Sequence, residues 1–338
     1  MDESYIHSSL TDKDKSFEQP LRPNQLEEFV GQTTLINRLK IFIGAAKKRE
    51  DALGHTLFFG PPGLGKTTLA HLVAKTMETH IVATSGPAIE KAADLAGILT
   101  SLNKGDILFI DEIHRLAKNI EEYLYPALED FKLDLMIDSG PNARSVQINL
   151  KPFTLIGATT RSGLLSAPMR SRFIFSGRLD YYPAEELVSI IKRSAKLMNI
   201  AIDQDAALEI AKRARGTPRI ANNLIKWVRD YAQMHQKGPI NTQTVKMALD
   251  MLAIDEEGLD EMDKKILSVI MDQFDGGPVG VQTLGVAVGE EATTLAEVYE
   301  PYLIMKGFMK RTLRGREATK TAYEHLGKTY PKNPQGES

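Results

Sequence analysis

One stretch, Gly60-Pro61-Pro62-Gly63-Leu64-Gly65-Lys66-Thr67-Thr68, restricts what this chain can fold into more than any other. It has the form G-x-x-x-x-G-K-T, a phosphate-binding loop. Such a loop needs a buried strand before it and a helix after it. Leu57-Phe58-Phe59 supplies the apolar run, and Leu69, Leu72, Val73 and Met77 follow at helical spacing. Gly60, Gly63 and Gly65 let the backbone turn tightly and point its N–H groups inward. The helix N-terminus adds partial positive charge. Lys66 provides a mobile cation for the β- and γ-phosphates, and the Thr67 hydroxyl is placed to ligand Mg²⁺. The bland alternative, an ordinary Gly/Pro turn, leaves this strand–loop–helix context and the partner strand downstream unexplained.

That partner is Asp106 to His114, reading Asp-Ile-Leu-Phe-Ile-Asp-Glu-Ile-His. Four apolar residues make a buried parallel strand, and two acids sit at its C-terminal end, where open α/β sheets bind ligands. Asp111 there holds the Mg²⁺ shell through water, and Glu112 polarises a water for attack on the γ-phosphate. The competing reading has the acidic pair simply capping the next helix. Phe153 to Gly157 is another buried strand, ending at Ala158-Thr159-Thr160-Arg161. A hydroxyl at that end senses the γ-phosphate or orients the water. Arg170 and Arg172 then lie two residues apart, which suits a phosphate pocket, local or on a neighbouring subunit. Solvated surface arginines are the ordinary alternative.

Lys132–Asp138 and Arg144–Leu150 alternate at period two across the turn residues Ser139–Asn142, predicting a β-hairpin inserted in the α/β domain. It is a partner-docking device or a structural flap. From Pro183 to about residue 254 the pattern is helical, at 184–198, 205–214, 218–235 and 242–252. Arg219 falls on the first turn after Thr217-Pro218, where the dipole disfavours a cation unless an anion is near. Trp227 shares the apolar helix with Leu224 and Val228 and reads as packing. Asp255 to Asp263 carries six acids and reads as a linker. Helices at 263–274, 281–288 and 294–306, then a hairpin turning at Gly315, predict a winged-helix module.

Composition limits the function classes. The 338 residues contain no cysteine, which excludes disulfides and Cys-based metal sites. No apolar run approaches a membrane span, and the polar start lacks a secretory core, so a cytoplasmic protein without membrane contact is expected. The net charge of −2 gives no general case for nucleic acid. The local case is strong: from Lys306 to Lys320 there are six Lys/Arg against Glu317 alone. The expected fold is therefore an α/β parallel-sheet ATPase domain at 21–182, with the hairpin at about 132–150, then a small helical lid at 183–254 and a winged-helix domain at 255–330. Tails occupy 1–20 and 331–338.

These motifs resemble the AAA+ ATPases and, within them, the RuvB family of Holliday junction branch-migration motors. Gly-Pro-Pro-Gly-Leu-Gly-Lys-Thr, Asp-Glu-Ile-His-Arg and Phe-Thr-Leu-Ile-Gly-Ala-Thr-Thr-Arg carry the likeness, with Leu21-Arg22-Pro23, Gly216-Thr217-Pro218-Arg219 and the basic wing in matching order. The resemblance implies that Leu21, Arg22 and Tyr182 surround the adenine and ribose of ATP or ADP. It implies that Gly63, Gly65, Lys66, Thr67 and Thr68 hold phosphates and Mg²⁺, with Glu129, Asp130 and Phe131 nearby. Thr159 or Thr160 becomes sensor 1 and Arg219 sensor 2. Arg170 becomes an arginine finger acting in trans, with Arg172 also directed at phosphate. It further implies a homo-hexameric ring, RuvA docking at hairpin 132–150, RuvC in the resolvasome, and double-stranded DNA gripped by Arg311, Arg314 and Arg316.

Three positions depart from the family pattern: Ile174 and Asp138 stand where glycine is usual, and Leu313 replaces a proline. The first puts the backbone after the arginine pair in question, the second the fit to RuvA, and the third the firmness of the wing. Competing functions are a clamp-loader-like switch, a protein unfoldase, and a DNA-binding regulator switched by ATP. The basic wing and the lack of a pore-loop aromatic argue against the unfoldase. Glu112 argues against a pure binding switch, which needs no water-polarising acid.

Overall fold

The computed structural model describes residues 21–136, 145–235 and 238–331. Asp138 and the hairpin turn 139–142 lie outside them. The described residues form two compact units: residues up to Ile190 with Thr217–Arg219, and Ile191–Gly216 with the residues from Ile220 onward.

The first unit is built on five strands, β1 Thr56–Phe59, β2 Ile81–Ser85, β3 Ile107–Asp111, β6 Thr154–Thr159 and β7 Phe175–Arg178, with β4 Lys132–Met136 and β5 Ser145–Asn149 forming a separate antiparallel pair. The five are parallel, in the order β2-β3-β6-β1-β7. Helices α1 Thr33–Arg49, α2 Lys66–Met77, α3 Ala92–Ser101, α4 Lys118–Glu129 and α5 Ala167–Ser171 connect and cover them. Covered on both faces, the central strands read as unbroken apolar runs: Leu57, Phe58, Leu108, Ile110, Leu155 and Ile156 are buried. The strand order has a direct consequence. β6 lies between β1, which feeds the phosphate loop, and β3, which ends at Asp111. The Thr159–Thr160 end is thereby delivered between the loop and the acidic pair.

β7 is a strand that the sequence pattern does not predict. It pairs with β1 from Thr56↔Phe175 to Phe59↔Arg178 and alternates buried Phe175 and Gly177 with exposed Ser176 and Arg178. A Cβ at Gly177 would lie 2.4 Å from Leu35 Cδ1, so a larger residue there would have to displace that side chain. Ile174, just before it, is exposed and adopts no left-handed backbone, and its N–H donates to His55 O at 3.0 Å. The backbone question raised by the missing glycine is thereby answered.

The second unit is helical, with a wing. Trp227 donates its indole N–H to Ala248 O at 2.6 Å, a packing role. The acidic segment 255–263 is not a loose linker. Asp255 Oδ1 accepts from the N–H groups of Glu257 (3.0 Å) and Leu259 (2.9 Å), and Leu259 is fully buried. Asp260 and Asp263 form a reciprocal capping box at the start of helix Glu261–Gln273. Arg215 ties into the same turn, donating to Gly258 O (2.8 Å) and to Asp263, with its guanidinium 4.6 Å over the Tyr302 ring. These contacts turn a charge-rich sequence into packed structure.

Helices Glu261–Gln273 and Val281–Val288 and a run from Ala292 to Met305, π-helical at Leu295–Tyr299, enclose a core that includes Ile266, Leu284, Leu303 and Phe308. The wing strands β8 Met309–Arg311 and β9 Arg316–Ala318 pair antiparallel, and Val279 bridges to Arg316 on the other side. A further helix, Lys320–His325, follows, capped by Thr319. Leu313 sits at the wing turn, fully exposed, and the turn is closed by Thr312 N–H donating to Gly315 O at 2.8 Å.

Candidate nucleotide site

The phosphate loop needs glycine for two reasons at once. Gly63 has φ +76°, and a Cβ there would lie 2.6 Å from Thr217 Cγ2 and 3.2 Å from Arg219 Cβ. Thr217 and Arg219 thus close over the loop, and Arg219 N–H donates to Gly63 O at 3.4 Å. Gly65, with φ +102°, turns the chain into α2, so that Lys66 begins the helix.

Lys66 is buried and donates to the carbonyls of Gly60 and Pro61, both at 2.8 Å. Burial pulls its pKa down to about 8; Glu112 and Asp111 oppose that fall, and Arg219 adds to it. An anion at the loop restores what burial removes. Thr67 donates its hydroxyl to Asp111 Oδ2 at 3.2 Å. A hydroxyl and a carboxylate this close are hard oxygen donors of the kind that suits Mg²⁺. Thr68 follows on the same first turn of α2.

At the end of β3 the chain bends sharply. Glu112 adopts a left-handed backbone (φ 46°), and its N–H donates to Asp111 Oδ1 at 3.0 Å. Its Oε2 receives Thr160 N–H at 3.3 Å and the Thr160 hydroxyl at 3.1 Å, with His114 Nδ1 also at 3.1 Å. Thr159 points elsewhere: it is fully buried, with its hydroxyl 2.8 Å from His114 Nδ1. The alternation of β6 separates two threonines that are equivalent in the sequence pattern. Thr160 meets the Glu112 carboxylate; Thr159 meets the His114 ring. His114 lies within the Asp-Glu-Ile-His-Arg motif but is not among the site residues expected from the sequence. Its position two residues beyond Glu112 is the available signal.

The remaining expected residues form a second group. Arg172, at the C-terminal end of α5, ion-pairs with Glu129 (2.9 Å), stacks 4.3 Å over the Tyr125 ring and donates to Pro168 O (2.6 Å). Phe131 sits edge-on to Phe153 with 5.9 Å between ring centroids, and Asp130 is exposed beside it. Arg170 is exposed and donates to Leu165 O at 2.9 Å. No described hydrogen bond or ion pair joins this group to Lys66 or Glu112. Tyr182 is buried, its hydroxyl donating to Leu64 O at 3.4 Å and its pKa raised by burial. Leu21 is also buried, and Arg22 lies close enough to His71 to lower that ring's pKa, after desolvation.

On the wing, Arg311 and Arg314 are exposed. Arg316 departs from the expected phosphate contact. Its side chain is buried, with Nε 2.6 Å from Glu300 Oε1 and a second guanidinium nitrogen 3.1 Å from Oε2.

Comparison with known proteins identifies the family. A family model described as the Holliday junction DNA helicase RuvB P-loop domain matches residues 21–179. The RuvB AAA lid domain matches 182–255, and the RuvB C-terminal winged helix domain matches 256–327. A Protochlamydia amoebophila protein named Holliday junction branch migration complex subunit RuvB is 59% identical over 326 residues, covering 96% of this chain and 98% of the relative. The chain belongs to the RuvB family. RuvB of Chlamydia trachomatis serovar A is 56% identical over 97% of the chain and 98% of its own length. A solved Thermotoga maritima RuvB, titled Holliday junction branch migration motor, superposes with a TM-score of 0.85 at 52% identity, covering 93% of this chain and all of that one. As a RuvB-family protein the chain is an AAA+ nucleotide-binding ATPase with a winged-helix domain.

Proposed function

We propose that this chain is the ATP-driven motor that moves Holliday junction branches along double-stranded DNA in recombination and repair. The observation that carries the reading is the meeting of Thr160 and Glu112 at the end of β6, between the phosphate loop and Asp111. That arrangement serves hydrolysis, not binding alone. Loop N–H groups, Lys66 and Arg219 hold the phosphates. Thr67 and Asp111 would hold Mg²⁺, which would supply charge neutralisation for the phosphates. Glu112 takes the proton of the attacking water as the β–γ bridge bond to phosphorus breaks. Leu21, Arg22 and Tyr182 enclose the base and ribose.

The site is completed by a neighbour. In a homo-hexameric ring, α5 carries the trans cation: Arg170, the more exposed, is the finger, and Arg172 with residues 129–131 lines the same contact. Such sharing links turnover to the placement of adjacent subunits. The hairpin at 132–150 receives RuvA, RuvC joins the resolvasome, and Arg311 and Arg314 hold DNA phosphates. A motor that must move along any sequence holds backbone and does not read bases. No described helix is long and apolar enough to cross a membrane, and we place the work in the cytoplasm. The working division is an ATPase domain at 21–182, a lid at 183–254 and a winged helix at 255–330.

Glu112→Gln tests the reading. It should bind ATP as the unmodified protein does and hydrolyse it about a thousandfold more slowly, as expected for loss of the general base. Undiminished turnover would remove Glu112 from the mechanism.

A further inference from the structure

Arg215 is a buried cation with no place in the nucleotide site. It shortly precedes Thr217 and Arg219, the residues that close over the phosphate loop. Its backbone is left-handed (φ 53°), as is that of Gly216 (φ 66°). Glycine adopts this conformation freely, whereas an arginine keeps it only where its surroundings hold it. What holds Arg215 comes from outside the lid. Its Nε donates to Gly258 O at 2.8 Å, a second guanidinium nitrogen donates to Asp263 Oδ2, and the guanidinium carbon lies 4.6 Å from the centroid of the Tyr302 ring. All three partners fall within the winged-helix match, 256–327, while Arg215 falls within the lid match, 182–255.

The turn that receives Arg215 is itself fixed on several sides. Gly258 passes so close to the end of lid helix Gln204–Arg213 that a Cβ on it would lie 2.8 Å from Arg213 O. The Tyr302 hydroxyl donates to Glu257 O, and Lys306 donates to Glu257 Oε2 at 2.8 Å. His325 Nε2 lies 2.9 Å from Asp255 Oδ2. Asp263 stands in the first turn of helix Glu261–Gln273 and accepts the Asp260 N–H at 3.0 Å. A guanidinium tied by a carbonyl, a carboxylate and a ring face is fixed in three directions. Moving it would strand a buried charge. A displacement of the backbone at 215 therefore carries the start of the winged-helix domain with it, where a solvated linker would let that domain swing.

We propose that Arg215 is the joint through which nucleotide-dependent movement at Thr217–Arg219 reaches the winged-helix domain. It is a positioning residue for the movement of DNA and takes no part in hydrolysis. The Arg219 end of the segment answers to the phosphates, and the Arg215 end carries the domain that holds DNA. One residue, Gly216, separates Arg215 from Thr217, so the two ends cannot shift far independently. The inference rests on the reading of this chain as an ATP-driven DNA motor.

The test removes the joint without leaving a bare charge in it. In the double variant Arg215→Met with Asp263→Asn, methionine fills the space of the arginine stem and asparagine keeps an oxygen for the Asp260 N–H. Spin labels at Met247→Cys in the lid and Val286→Cys in the winged helix, both exposed, report the distance between the two domains in the full chain, which has no cysteine of its own. Labelled subunits are diluted into unlabelled ones. The unmodified joint should give one narrow distance with ADP and with a non-hydrolysable ATP analogue. The double variant should broaden it and keep its basal ATP hydrolysis. It should also convert about fivefold fewer four-way junctions per ATP, the low end of ordinary coupling between sites. Arg215→Lys, which keeps the charge and loses the fork and the stack, should show both changes to a smaller degree. An arginine that served stability alone would lower the denaturation midpoint and leave the junction-to-ATP ratio unmoved wherever the variants are folded. A broad distance in the unmodified protein, an unchanged distance in the double variant or an unchanged ratio overturns the proposal. Should the double variant not fold, Arg215→Lys decides on the same two readouts, and unchanged values overturn the proposal. If the unmodified protein hydrolyses ATP and converts no junctions, the motor reading fails, and the label distances still decide whether Arg215 holds lid and winged helix together.

Discussion

Arg316 and Glu300 form a two-point ion pair inside the winged-helix core, with Nε 2.6 Å from Oε1 and a second nitrogen 3.1 Å from Oε2. Both side chains are at least nine-tenths buried. The pair fastens β9 to the helix that begins at Glu300, and Val279 exchanges backbone hydrogen bonds with Arg316 on the far side, at 2.8 and 3.0 Å. The wing thus stands on a rigid base, with Arg311 and Arg314 outward from it.

Removing one partner of a buried pair leaves an uncompensated charge and costs about 3 to 5 kcal/mol. Arg316→Ala and Glu300→Ala should each lower stability by about that amount in chemical denaturation. Both should also weaken DNA binding in fluorescence anisotropy, because both disturb the wing. If Arg316 itself gripped phosphate, Glu300→Ala would free a cation and leave binding intact or tighter.

Arg311→Ala and Arg314→Ala act differently. Each removes a candidate phosphate ligand from an exposed position, so folding stability should hardly change. The slope of log affinity against log salt should become shallower by about 0.9 for each phosphate no longer neutralised. Binding titrations across a salt series check this, and an unchanged slope removes that arginine from the interface.

Lys66 gives a pH dependence. Its pKa of about 8 in the free protein lies below the ordinary lysine value. Bound triphosphate favours the charged form, so the complex has the higher pKa. Above pH 8, binding must therefore take up a proton, and affinity falls as pH rises, by up to about tenfold per unit. Below pH 8, Lys66 contributes no such slope. Calorimetry of ATP binding in buffers of different ionisation enthalpy, at pH 7 and pH 9, measures the proton uptake directly.

The two arginines of α5 are separable by mixing. Arg170→Ala should lose about 10³-fold in kcat when pure. It should regain activity when mixed with Lys66→Ala subunits, because each mutant then supplies what the other lacks. Arg172→Ala should regain less, its guanidinium being engaged with Glu129 and Tyr125. Recovery by Arg172→Ala alone would move the finger to that position. Sedimentation of each mixture confirms that rings have formed.

What is legible in the sequence follows the range of the interactions. The phosphate loop and the Asp111–Glu112 strand end are local: a few adjacent residues contain both the motif and its strand or helix context. The different tasks of Thr159 and Thr160 are not local, since they depend on β6 inserting between β1 and β3. His114 is hidden for the same reason, because its partners are 45 residues away or across a left-handed turn. β7 escapes the pattern because it has only four residues, one of them a glycine.

The pairing of Arg316 with Glu300 is not announced by its charge, although its spacing carries the signal of burial. Period two places it on the face of Ala318, which is buried, and away from Glu317. A buried arginine calls for a carboxylate, and Glu300 lies on a helix that no local pattern connects to the wing. The acidic turn 255–263 is the same case: its charges look solvated until Arg215, about 48 residues upstream of Asp263, is seen to enter it.

The most direct test is ATP-dependent movement of a synthetic four-way DNA junction in the presence of RuvA and Mg²⁺, followed by separation of the product duplexes. The unmodified chain should convert the junction at a rate that follows ATP hydrolysis, and Glu112→Gln should bind the junction without converting it. Vigorous ATP hydrolysis with a stationary junction, or equal conversion by Glu112→Gln, would contradict the account.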